Sequence, residues 1–273
     1  MSKVLSGFVG VFLVLASSLA WAESLPEKLQ QLSVTIKAGG AQGSGFFLTR
    51  KMKDGDKDVD VNFVVSAAHV VSDLRSVREI LDNGVTKKIV EFKDCEVVQE
   101  VSEGGRRVGE YKMNAKIIKY SHSEYGEDLV LMLVRKRGLT SANTKFYLDG
   151  DKTAVVGTEL YHSASPLGQI GAGTVTSGTV TQIGRTLDLS NGEQTVFDQV
   201  NVASWPGCSG GGVFLKSDAR LVGVLVRGAG ESFGLIVPVR RMYSYYEKNN
   251  MLWVLDESIK MPTMKELEAI PIE

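Results

Sequence analysis

Trp205-Pro206-Gly207-Cys208-Ser209-Gly210-Gly211-Gly212-Val213-Phe214 sets one serine in a glycine-lined turn just before an apolar strand. Glycine accepts positive φ and close backbone approach, so Gly207 and Gly210 let the chain bend sharply and let a carbonyl group come near. The backbone N–H groups of Gly207 and Ser209 can then converge on one point, which is what an oxyanion hole requires. A serine hydroxyl is a weak nucleophile at neutral pH and needs a base within hydrogen-bond reach. Glycine-rich turns before strands are common, so this string decides the fold only together with a base and an orienting acid elsewhere.

The base candidate is His69, in Ser66-Ala67-Ala68-His69-Val70-Val71, and the acid candidate is Asp128, in Glu127-Asp128-Leu129-Val130-Leu131-Met132-Leu133-Val134. A free imidazole titrates near 6.5, which suits it to shuttle a proton between a hydroxyl and a leaving amine. Ser-Ala-Ala-His resembles the Thr-Ala-Ala-His of chymotrypsin-like serine peptidases, and Asp-Leu-Val-Leu-Met-Leu resembles their Asp-Ile-Ala-Leu-Leu. Gly207 to Gly211 resembles their nucleophile motif, and the order His, Asp, Ser is theirs too. Further segments resemble the HtrA-like (Deg) branch: Gly43-Ser44-Gly45-Phe46, Ser165-Pro166-Leu167-Gly168 and Thr176-Ser177-Gly178-Thr179-Val180.

The resemblance implies an all-β, chymotrypsin-like fold: two six-stranded antiparallel β-barrels closed by a C-terminal helix. It implies a serine endopeptidase with His69, Asp128 and Ser209 as catalytic residues and the N–H groups of Gly207 and Ser209 as oxyanion hole. Cys208 is an alternative nucleophile, but Ser209 alone has glycine two positions before it and Gly-Gly after it. Cys208 stands where digestive relatives carry an aspartate that pairs with a new N-terminus, so that zymogen switch is not expected. An α/β-hydrolase would need the order Ser, Asp, His and alternating helices, which this chain does not offer. A catalytically idle relative that binds peptides in the cleft is the alternative reading.

The chain has 273 residues, with 31 basic and 32 acidic side chains, a balance that points to neither nucleic acid nor an anionic membrane surface. Its 29 glycines and many Val and Thr residues read as turn-rich β structure. Residues 1–22 read as a signal peptide: Lys3 is followed by an apolar run too short to span a bilayer comfortably and by Ala20-Trp21-Ala22. Export to the periplasm or beyond is therefore expected, with no membrane span once the leader is removed. Export permits a disulfide, yet Cys95 and Cys208 lie in different halves of the chain, and two unpaired thiols are expected.

Residues 23–136 should form the first barrel and 137–249 the second barrel and helix, leaving 250–273 as a C-terminal tail. That tail is too short for the PDZ domain many HtrA-like proteins carry. Residues 70–81 read as a short helix and turn. His122 sits in a polar segment and reads as an exposed loop residue, and His162 reads as structural. By resemblance, Ala203, Leu225, Val226, Gly228, Gly234 and Ile236 line or border the specificity pocket. They include no carboxylate, which argues against Lys or Arg before the scissile bond and for a small or medium apolar residue. The backbone groups of Val226 and Gly228 should pair with substrate as an added strand. Protein or peptide substrates are the expected partners, and HtrA-like resemblance suggests a homotrimer. No metal-ligand cluster or phosphate loop is visible, so no cofactor or metal is expected.

Overall fold

In the computed structural model, the described residues are 24–148 and 154–273; the expected leader lies outside them. The chain enters through α1 (Leu25–Leu32), started by a capping box between Ser24 and Glu27 and burying Leu29 and Leu32. Then follow β1 (Ser33–Ala38), β2 (Ala41–Asp54), β3 (Lys57–Ser66) and a 3-10 turn at Ala68–Leu74. Next come β4 (Arg75–Asp82), β5 (Val85–Phe92), β6 (Cys95–Glu103), β7 (Arg106–Ser121) and β8 (Leu129–Val134). Six of these strands close an antiparallel barrel in the order β1-β2-β3-β8-β7-β6. β8, Leu-Val-Leu-Met-Leu-Val, is buried at every position between β3 and β7, as an unbroken apolar run demands. Each such side chain contributes about 1.5–3 kcal/mol on burial.

The second barrel has the order β10-β11-β14-β13-β12-β9, from β9 (Glu159–Ala164), β10 (Thr174–Asp188), β11 (Gln194–Val200), β12 (Gly212–Leu215), β13 (Leu221–Gly228) and β14 (Gly234–Pro238). The closing helix α2 (Val239–Lys248) starts directly after Pro238. Two barrels and a closing helix are the expected fold class.

One segment departs from expectation. Of the expected helix-and-turn at 70–81 only residues 70–74 are helical, in the 3-10 turn that starts at Ala68; from Arg75 the chain forms the hairpin β4–β5, a separate two-stranded sheet. The reason is Asn83-Gly84, both at positive φ (51° and 78°), a two-residue turn whose twist suits a hairpin. Residues 250–273, expected as a C-terminal tail, pack as a strap. Trp253 is buried with its ring 5.2 Å from that of Phe63, and Arg50 donates to the carbonyls of Trp253 and Val254, both at 2.7 Å. Burial pulls the Arg50 guanidinium down to about 10, so it stays charged at neutral pH. Past α3 (Met264–Glu268), Tyr120 N–H donates to Ile272 O (2.7 Å), and Arg75 pairs with Glu273. The strap therefore runs back from the second barrel along the first.

Candidate active site

The 3-10 turn after β3 presents His69, and the loop between β7 and β8 presents Asp128. The two meet at three points: His69 N–H donates to Asp128 Oδ1 (3.0 Å), and His69 Nδ1 lies 3.1 Å from Oδ1 and 2.9 Å from Oδ2. Ala68 N–H also donates to Asp128 O (3.2 Å), so backbone and side chain of the aspartate both grip the histidine turn. Asp128 has φ of +54°, a left-handed conformation that Asp tolerates better than most residues. Its side chain is 4% exposed, against 35% for His69. Because Nδ1 is taken by a carboxylate, Nε2 is the ring nitrogen without a partner among the described residues, and His69 lines a cavity.

Ser209 comes from the turn before β12, seated on the first barrel. Ser44 N–H donates to Ser209 O (2.8 Å), and Ser44 Oγ donates to Gly207 O (2.6 Å) while accepting from Ser165 N–H (2.7 Å). Leu167 N–H donates to Pro206 O (2.7 Å), and Gly211 N–H to Cys208 O (3.0 Å). Every carbonyl from Pro206 to Ser209 is thus turned into the protein. The N–H groups of Gly207 and Ser209, by contrast, find no acceptor among the described residues. Gly207 and Gly210 have φ of +92° and +87°, and a Cβ on Gly210 would lie 2.1 Å from both Ser44 O and Ser66 Oγ. The glycines are there because the turn is left-handed and touches the opposite barrel. No hydrogen bond joins Ser209 Oγ to the His69 ring among the described residues.

Cys208 and Cys95 are both free and buried, as expected. Burial pushes their thiols up to about 11 and about 12, so neither is a thiolate at neutral pH. His122 stacks on Tyr125 with centroids 4.1 Å apart. His162 is 1% exposed and pushed down to about 4 by burial, partly offset by the Ala203 carbonyl. It lies under the nucleophile turn: a Cβ on Gly211 would sit 2.6 Å from its Nε2.

A cavity of about 370 Å³ opens beside Ser209, lined by Leu225 and Gly228 together with Ser204, Trp205, Pro206 and Ala229. Gly234 stands behind its wall, since a Cβ there would meet Ser204 Oγ at 2.6 Å. Val226 lines a neighbouring cavity of about 430 Å³ that also contains His69 and Asp128. Ile236 faces a third space, about 610 Å³, beneath α2. Ala203 is half-buried with its carbonyl toward His162. Ser204, Trp205, Arg227, Ala229 and Gly230 also line the pocket beside Ser209 and are not among the residues the sequence assigns to it. No Asp or Glu is among the described residues lining the pocket beside Ser209. No group of residues suited to hold a metal ion occurs among the described residues.

Residues 43–224 match the trypsin-like peptidase domain family. The chain belongs to that family. It is a serine endopeptidase, a hydrolase that cuts protein substrates. The fold is shared with solved structures at low sequence identity. Deg5 is 19% identical, covering 84% of this chain and 93% of its own, with a TM-score of 0.54. The serine endoprotease from Yersinia pestis is 16% identical, covering 83% of this chain and 67% of its own, with a TM-score of 0.53. The active form of the Rv3671c protease from M. tuberculosis is 15% identical, covering 86% and 84%, with a TM-score of 0.52. No curated protein matches the chain in sequence. The match from Gly43 to Val224 contains all three triad candidates and the Gly43-Ser44-Gly45 shelf on which the nucleophile turn of this trypsin-like peptidase rests.

Proposed function

We propose that Ser209 is the nucleophile, His69 the general base and acid, and Asp128 the residue that orients the imidazole. The observation that carries this reading is the nucleophile turn: its carbonyls are tied back, leaving the N–H groups of Gly207 and Ser209 free. His69 Nε2 takes the Ser209 proton as Oγ attacks the scissile carbonyl. The negative charge that develops on oxygen falls to the two free N–H groups, which need no reorganisation to receive it. The imidazolium, stabilised by Asp128, returns the proton to the leaving amine; water repeats the cycle on the acyl-enzyme.

The pocket beside Ser209 favours a small or medium apolar residue before the scissile bond. Its wall includes Leu225, the Gly228 edge, Ser204, whose hydroxyl is spent on Val202 O (3.2 Å), and Arg227, whose Nη2 donates to Ser123 O (2.9 Å). Lys or Arg would enter without a counter-charge. Val226 has no register partner in β14, where the ladder shifts between Leu225 and Arg227, so its backbone is available to an extended substrate. The enzyme works after export, in the periplasm or outside the cell, as an HtrA-like peptidase.

Purified mature protein, beside Ser209→Ala, should be given unfolded casein and peptides varied at the residue before the cut. Wild type should cut after residues such as Ala, Val or Leu, and Ser209→Ala should not cut. Cleavage by Ser209→Ala would overturn the nucleophile assignment; cuts after Lys or Arg would overturn the specificity.

A further inference from the structure

The loop carrying Asp128 is held from outside its own barrel. Residues 121–128 are tied internally by Glu127 N–H to Ser121 Oγ (2.7 Å) and Asp128 N–H to His122 O (3.3 Å). The second barrel holds it from outside: Arg227 Nη2 donates to Ser123 O (2.9 Å), Ser190 N–H donates to Glu124 O (3.2 Å), and α2, 114 positions further along the chain, reaches Glu127, the residue next to Asp128. Arg241 Nε donates to Glu127 Oε2 at 2.9 Å, and Nη2 donates to the same oxygen. Its Nη1 donates to Val196 O on β11 (2.9 Å), and the guanidinium lies 4.7 Å over the Phe197 ring. The Arg241 side chain is 13% exposed and that of Glu127 32%. With a ring beneath it and acceptors on two sides, the planar fork has one orientation available. The Glu127 carboxylate is then fixed relative to the second barrel, and the next residue is Asp128.

We propose that Arg241 and Glu127 are positioning residues: the second barrel, through α2, locks the 121–128 loop in the conformation where the Asp128 carboxylate meets both the N–H and Nδ1 of His69. This rests on the triad reading above. It also explains how Asp128 keeps a left-handed backbone: a residue at φ +54° needs surroundings that over-determine it. The aspartate itself has no bond to the second barrel among the described residues, so Glu127 is the adjacent point at which that barrel can set its place. A pair that merely joined the barrels would affect stability alone. A pair that positions Asp128 must affect turnover.

The test compares Arg241→Ala and Arg241→Lys with wild type by steady-state kinetics on a peptide substrate, thermal melting, and proton NMR of the bridging His69 Nδ1–H···Asp128 resonance far downfield. Arg241→Ala should lower kcat by about 100-fold, as a misplaced catalytic group does, with KM within about two-fold, and should broaden or erase the resonance. Arg241→Lys keeps the charge without the fork and should recover about ten-fold of that loss. A melting shift with kcat and the resonance unchanged would overturn the proposal, as would equal kcat for the Ala and Lys variants. If Arg241→Ala does not fold, Glu127→Gln carries the test: it keeps volume and one acceptor, and should lower kcat about ten-fold with the same spectroscopic change. Ser209→Ala and His69→Ala run alongside; if they retain activity, the triad reading itself fails, whatever the Arg241 variants do.

Discussion

The turn that carries Ser209 and the loop that carries Asp128 reach the same cleft by opposite means. The nucleophile turn is held through its backbone: two glycines at positive φ, and four consecutive carbonyls each accepting a bond, two of them from Ser44 on the first barrel. The acid loop has a non-glycine residue in a left-handed conformation and is bonded by Arg227, by Ser190 and by a side-chain clamp from a distant helix. One device grips main-chain atoms, the other a side chain as well. That clamp makes activity depend on how the second barrel sits against the first, because the helix that grips the loop follows the last strand of that barrel.

The difference can be sharpened by mutation. Asp128→Asn preserves shape but offers His69 the wrong hydrogen-bond partner; kcat should drop by about 10^4 while the melting temperature moves little, measured by kinetics beside calorimetry. Gly210→Ala strikes the main-chain device. Its Cβ would collide with Ser44 O and Ser66 Oγ at 2.1 Å, so chemical denaturation should reveal a loss of about 4 kcal/mol and labelling of Ser209 should fall with it. Unchanged stability would mean the turn is looser than described.

Acid should act on the nucleophile side. His162 binds its proton at about 4 in the fold and near 6.5 when unfolded, so its contribution is present above 6.5 and is lost as pH falls toward 4. About 3 kcal/mol of stability should disappear across that window. His162→Gln should flatten the fall; equal acid sensitivity in both proteins would remove His162 from the account. The smallest effect is expected from Ser44→Ala, which leaves Gly207 O and Ser165 N–H without their shared partner. It should cost about 2 kcal/mol of stability. It should also lower kcat more than it raises KM, because the Gly207–Cys208 peptide, which lies between the two oxyanion N–H groups, is then free to turn.

These two devices were not equally readable. Gly207, Ser209 and Gly210 carry their signal locally, since each glycine answers a backbone requirement within its own turn. His69 and Asp128 are recognisable through resemblance to family motifs, Ser66-Ala67-Ala68-His69 and Asp128-Leu129-Val130-Leu131-Met132-Leu133, each joined to an apolar strand. Arg241 leaves no such trace, because an ion pair between residues 127 and 241 belongs to no local pattern. The hairpin of β4 and β5 is a different case, as Asn83-Gly84 is a strong turn signal that outranks the helical reading of the residues before it. The strap is legible in part: Trp253, Val254 and Leu255 are too apolar to stay in solvent, but nothing local says that Arg50 receives their carbonyls.

The most direct measurement is to treat folded wild-type protein with a fluorophosphonate and map the adduct by mass spectrometry, beside His69→Ala and Ser209→Ala. The account predicts one adduct, on Ser209, strongly slowed in His69→Ala and absent in Ser209→Ala. An adduct on another residue, or labelling of Ser209 at the same rate without His69, would contradict it.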